Sequence, residues 1–242
     1  MARTRTVPTT LPPCGDGNRQ DVSFYDFFEW IPICFAFMIV WKIMLFFSRL
    51  KKVLEDVAKT VKFLRANPKV SLGWGVRFRL PQYVSCEEAV SIGEESRLYC
   101  WDSYGGVPLP KAPELSIGRG TRATRNLTIQ CAGSVRIGCD VLIASDVFII
   151  DYNHGLDPAS VSYLSNPLQV ESVEVCDGAW IGNNVVILPG VRIGRKAVVG
   201  AGSVVSRSIP DYCIAVGNPA RVVKRFDSIS SRWVAAIASG VQ

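Results

Sequence analysis

Between Ile181 and Val205 an aliphatic residue stands at every sixth position, at Ile181, Ile187, Ile193, Val199 and Val205, and the places between favour Gly, small or polar residues. Helices repeat every 3.6 residues and isolated strands every two, so neither demands this spacing. A coil whose flat sides recur every six residues does, because each side turns one aliphatic inward. The period is also visible at Ile117, Ala123 and Ile129, slips by two residues, and resumes at Ile137, Ile143 and Ile149. It then stops until Val175, from which it runs in phase to Val205. The spacing predicts a mainly β solenoid over residues 69–227 with one large extruded loop at 150–174, since stacked rungs tolerate an insertion between them. Ile92-Gly93 is its first faint copy.

Other patterns govern the two ends. Residues 1–20, rich in Thr, Pro, Arg and Gly, have no apolar period and read as a mobile arm. Residues 21–68 read as a helical, membrane-associating region. Phe27 to Phe47 contains only Glu29 and Lys42 as charges, and a spanning helix needs about 20 apolar residues. From Leu50 the apolar positions Val53, Leu54, Val57, Ala58, Val61 and Leu64 follow helical spacing, with Arg49, Lys51, Lys52, Lys59, Lys62 and Arg65 around them. Such an amphipathic helix suits an anionic leaflet, and its basic excess would leave the following chain in the cytosol. The same stripe would alternatively cap the coil or pack against other subunits. Asn67-Pro68 ends the helix. At residues 228–242 the spacing of Trp233, Val234 and Ile237 predicts a short capping helix over the coil's open end.

Composition narrows the chemistry. The chain has 242 residues, 48% of them hydrophobic, enough for a substantial core. A net charge of +6 suits an anionic cofactor or membrane surface, and no basic arm points to nucleic acid. Eight scattered cysteines with no C-x-x-C pair and a single histidine argue against a zinc site or disulfide framework and for small buried thiols. That histidine, His154, falls in the extruded loop among polar and turn-forming residues. Imidazole titrates near neutrality and suits the removal of a hydroxyl proton.

Several segments carry a resemblance to a known family: the hexads from Ile117 to Val205, DYNHG at 151–155, DGAWIGNNVVILPGVRIG at 177–194, GAGSVV at 200–205 and GNPARVVKRF at 217–226. Together they resemble the hexapeptide-repeat acyltransferases, and within them the branch that acetylates sugar hydroxyls, including the galactoside, maltose and polysaccharide O-acetyltransferases. The resemblance covers roughly residues 90 to 227. It implies a left-handed parallel β-helix, a homotrimer, and acetyl-CoA as donor with no metal. The expected activity is direct acetyl transfer to a sugar hydroxyl of an envelope polysaccharide or its lipid-linked precursor, at the cytoplasmic membrane face.

Residue by residue, the resemblance makes His154 the general base. Asn126, on a rung before the histidine loop, would hold the acceptor hydroxyl, and Asp151 would orient the imidazole. Coenzyme A would lie along Trp180, Gly182 and Ala201 in a groove between subunits, its phosphates meeting Arg221, Lys224 and Arg225. Each has a plainer structural reading: a turn for Asn126 and Asp151, packing for Ala201, a solvated charge for the cations. Other readings of the whole chain are serine acetylation, N-acetylation of an amino sugar nucleotide, or a catalytically idle trimeric scaffold. A three-imidazole zinc site of the carbonic anhydrase kind would need three chains to meet, because each supplies one histidine.

Overall fold

The computed structural model describes residues 24–236, with side chains from residue 41 onward. The expected mobile arm at 1–20 lies outside the described residues, as do residues 237–242. By contact density the chain divides into units 1–51 and 52–242.

The second unit is a parallel β-coil of three faces. Trp180–Ile181 belongs to the first face, Val186–Ile187 to the second and Arg192–Ile193 to the third. Rungs pair in parallel, Val175 with Ile193, Ile181 with Val199 and Ile187 with Val205, so residues 18 apart stack as the period requires. Ile181, Ile187, Ile193, Val199 and Val205 are fully buried and form part of one continuous core. Each rung alone exposes its apolar residues, and stacking removes them from water.

Irregularity is confined to one corner. Along the second face Leu98 pairs with Ile129, Ile129 with Ile149 and Ile149 with Ile187, intervals of 31, 20 and 38 residues, against 18 for Ile187 and Val205. In all three rungs the extra residues leave the coil between the second and third faces. The two-residue slip is Ala132–Gly133. Below it, Ser103–Tyr104 pairs antiparallel with Val107–Pro108, and above it Tyr152–His154 pairs antiparallel with Leu168–Val170. The extruded segment is therefore anchored by a β-hairpin, which supplies ladder partners for backbone that has left the coil.

The helix α1 runs unbroken from Phe24 to Ala66, so the apolar run and the amphipathic stretch share one helix. Among the described residues no helix is long and apolar enough to cross a membrane. Most of the Phe27–Phe47 run has no described side chains. Most of the predicted stripe does not cap the coil: Leu50, Val53, Leu54, Val57 and Val61 are exposed, and its last member, Leu64, packs partly against the core. Phe63, outside the stripe, supplies the main contact. It is buried against Phe78 with ring centroids 4.4 Å apart and 25° between planes. Asn67 then closes the helix, its Nδ2 donating to the Phe63 carbonyl (2.9 Å) and its Oδ1 accepting from the Cys86 N–H (3.0 Å).

The opposite end corrects the expected helix over residues 228–236, the described part of 228–242. After Cys213–Val216 the chain reverses through Gly217–Ala220, Arg221–Asp227 pairs antiparallel with that strand, and Arg232–Ala235 pairs with Arg221–Asp227. An open coil end presents unpaired N–H and C=O groups, and a returning strand satisfies them where a helix cannot. The turn is set by Asp227, whose carboxylate accepts from the Ile229 N–H (3.1 Å) and the Ser230 hydroxyl (2.6 Å).

Candidate active site

His154 ends the first strand of the upper hairpin. The rest of that insertion is organised by Asn166, which is buried. Its Nδ2 donates to the carbonyls of Gly155 (2.6 Å) and Asp157 (3.3 Å), and its Oδ1 accepts from the Ser160 hydroxyl. Just before it, the 3₁₀ turn Tyr163–Ser165 is capped by Ser162, whose Oγ accepts from the Leu164 N–H (3.2 Å).

The lower hairpin delivers Tyr104 to the histidine. Gly105 and Gly106 have φ of +58° and +80°, the double left-handed turn that suits strand twist and that glycine adopts without strain. The Tyr104 hydroxyl lies 3.0 Å from His154 Nδ1 and donates to the Leu164 carbonyl at 2.6 Å. The two rings meet edge to face, centroids 5.3 Å apart. Beside them, Gln130 Oε1 accepts from Trp101 Nε1 (2.8 Å) and the Tyr152 hydroxyl (3.4 Å), and the Arg79 guanidinium sits 4.0 Å from the Trp101 ring centre. Trp101, Gln130 and Tyr152, from successive rungs, thus join in one hydrogen-bonded cluster.

Asp151 is fully buried, and its carboxylate accepts from the backbone N–H groups of Ala132 (2.7 Å) and Gly133 (2.8 Å). Burial pushes this carboxyl up from its ordinary value, and the two N–H donors oppose that shift. Its oxygens hold the widened corner, while Tyr104 faces the imidazole nitrogen that Asp151 was expected to orient.

The coenzyme candidates lie elsewhere on the chain. Trp180, half exposed, occupies an outward column of the first face with Leu142 on one side and Val198, then Ile214, on the other. Lys224 pairs with Ile214 at the column's end, with Arg225 next to it and Arg221 on the same strand. Three strand spacings separate Trp180 from Lys224, about 14 Å. At Gly182 a Cβ would come within 2.7 Å of the Ala201 nitrogen, so only glycine keeps these two rungs in close approach. An apolar strip that ends in cations fits a long thiol arm carrying phosphates.

Asn126 stands at the corner between the first and second faces, with φ of +51°. It accepts from Arg97 Nη1 (3.0 Å) and donates to Asp146 Oδ1 (2.6 Å). Within one chain the second face separates it, and Trp180 and Ala201 as well, from the corner that carries His154.

Comparison with known proteins bears on this arrangement. The family described as "Bacterial transferase hexapeptide (six repeats)" matches residues 172–207. The chain is 42% identical over 169 residues to the "Putative lipopolysaccharide biosynthesis O-acetyl transferase WbbJ" of Escherichia coli strain K12, covering 64% of this chain and 81% of that protein. The chain belongs to the hexapeptide-repeat transferase family. It is an acyltransferase.

The galactoside O-acetyltransferase of Escherichia coli strain K12 is 38% identical over 114 residues, 47% of this chain, which spans just over half (55%) of that relative's length. Among solved structures, galactoside acetyltransferase in complex with coenzyme A aligns at 25% identity and a TM-score of 0.46, covering 74% of this chain and 83% of that one.

In this hexapeptide-repeat transferase the regular hexads build the coenzyme-candidate wall, and the irregular corner builds the histidine site. Tyr104 and Asn166 escape a reading of the sequence. The Gly105-Gly106 pair is a hairpin signal, but nothing local tells where its neighbouring tyrosine docks. Asn166 sits in a polar stretch with no periodicity to mark it as buried.

Proposed function

We propose that this protein transfers an acetyl group from acetyl-CoA to a hydroxyl of a sugar in a cell-envelope polysaccharide or its lipid-linked precursor. Support comes from the names of the relatives and from one observation above all: the chain's single imidazole is clamped at Nδ1 by Tyr104, while among the described residues no hydrogen bond engages Nε2.

Acetyl-CoA supplies the acetyl group as an activated thioester. His154 Nε2 accepts the proton of the acceptor hydroxyl as its oxygen forms the bond to the acetyl carbon. It then returns that proton to the sulfur as the C–S bond breaks, which balances the transfer without an acetyl-enzyme. Trp101, Gln130 and Tyr152 present the stacking surface and hydrogen-bonding groups that a sugar ring requires. Trp180, Gly182 and Ala201 line the thioester arm's path, and Arg221, Lys224 and Arg225 meet its phosphates.

Because His154 and the Trp180 column occupy different faces of one chain, a complete site takes the histidine corner of one subunit and the first face of another. That favours a homotrimer with shared sites. The exposed apolar side chains of α1, interleaved with lysine and arginine, suit the cytoplasmic face of the plasma membrane, where lipid-linked glycans are assembled.

His154→Ala removes acetyl transfer to glycan acceptors and leaves the assembly intact by size-exclusion chromatography. Substantial residual activity overturns the assignment. Mass spectrometry of envelope glycans from cells with and without the protein locates the lost acetyl group, and identical glycans refute the acceptor class.

A further inference from the structure

We propose that Tyr104 is a positioning residue that locks the neutral His154 imidazole in its Nδ1–H tautomer and so leaves the Nε2 lone pair free to take the acceptor's proton. The inference rests on the reading of His154 as the base and supplies what that reading lacks, a reason for the correct nitrogen to be unprotonated.

The reasoning is a proton count. The Tyr104 hydroxyl has one proton and two neighbours, the Leu164 carbonyl at 2.6 Å and His154 Nδ1 at 3.0 Å. A carbonyl oxygen cannot donate, and two oxygens at 2.6 Å repel unless a proton lies between them. The tyrosine proton is therefore committed to Leu164. What remains on the hydroxyl is an acceptor lone pair, so the hydrogen bond to the ring requires the proton to sit on Nδ1. A neutral imidazole carries one N–H, which leaves Nε2 as the lone-pair nitrogen.

The surroundings make this a built arrangement. Leu164 belongs to the 3₁₀ turn capped by Ser162, and that turn leads into Asn166, which ties the insertion together. Tyr104 comes from a different rung, fifty residues away, on a hairpin whose Gly105 and Gly106 allow the tight reversal. One phenol thus fastens the two halves of the insertion, at His154 and at Leu164, and reads out both.

The chain contains a single histidine, so untagged protein labelled with ¹⁵N-histidine yields one pair of ring-nitrogen resonances. Above the imidazole's titration range the expected wild-type spectrum has a protonated, pyrrole-like Nδ1 and a pyridine-like Nε2. A wild-type spectrum with the proton on Nε2 overturns the proposal without any variant. In Tyr104→Phe the spectrum moves toward the Nε2–H form that free imidazole prefers. In the same variant kcat falls about tenfold or more, on the scale of general-base effects, with KM for acetyl-CoA unchanged. A Tyr104→Phe spectrum identical to wild type, with native thermal stability, also overturns it. An inactive His154→Ala beside a wild-type Nε2–H spectrum sinks this inference and leaves the general base standing. An active His154→Ala sinks the base itself.

Discussion

The carboxylate of Asp151 accepts a 2.7 Å hydrogen bond from the backbone N–H of Ala132, one rung below it, and a second from Gly133. The rung that slips by two residues is thereby fastened to the start of the histidine insertion. Asp151→Ala strands both N–H groups in a buried corner and costs roughly 2–4 kcal/mol, the scale for unsatisfied buried donors. Urea unfolding of the variant against wild type measures it.

The same carboxyl makes stability depend on pH. Burial raises its native value above the unfolded one, so its contribution is full below the ordinary aspartate range and is lost as pH rises through the raised native value. Wild type should lose stability relative to Asp151→Asn as pH rises above the ordinary aspartate range, about 4. Parallel stability curves for the two proteins would contradict this.

Phe63 seals the N-terminal end of the coil against Phe78. Phe63→Ala opens that end and costs about 3–5 kcal/mol, the range for deleting a buried aromatic ring. Val57→Ala, an exposed position in the predicted stripe, changes the unfolding midpoint far less, and calorimetry of the two separates capping from surface.

At the other end, Lys224 terminates the outward column that runs from Trp180 through Val198 and Ile214, and Arg225 is its neighbour on the strand, paired with Cys213. Reversing both charges raises KM for acetyl-CoA about tenfold or more, equivalent to roughly 1.4 kcal/mol, and leaves kcat near wild type. An unchanged KM removes these residues from the coenzyme path.

Asn166→Leu leaves the carbonyls of Gly155 and Asp157 without their buried partner. The rungs do not depend on that amide, so the main thermal transition stays near its wild-type midpoint. The insertion loosens, with kcat reduced and cleavage by chymotrypsin accelerated after Tyr163 and Leu164. Wild-type activity and protease resistance would show that Asn166 does not hold the site.

The coil was legible in the sequence because its determinant is local: every sixth side chain must be small enough and apolar enough to turn inward, and that leaves a period. The same logic marked His154, since the loss of period between Ile149 and Val175 announced an insertion and the insertion held the only imidazole. The helix over residues 228–236 was misread because Trp233 and Val234, with Ile237 outside the described residues, are too few apolar positions to tell a helical spacing from a strand. Backbone groups on the coil's open edge, invisible in the sequence, decided in favour of a strand.

By itself, then, the sequence determined the six-residue coil, its large insertion and the place of the single histidine in it. Only tertiary structure decided which partners that imidazole has. Asp151, three residues from His154, spends its carboxylate on Ala132 and Gly133, whereas Tyr104, fifty residues away, reaches the imidazole. The physical reason is stacking: three insertions of different length leave three successive rungs at one corner, and residues remote along the chain become neighbours across spacings of about 4.8 Å.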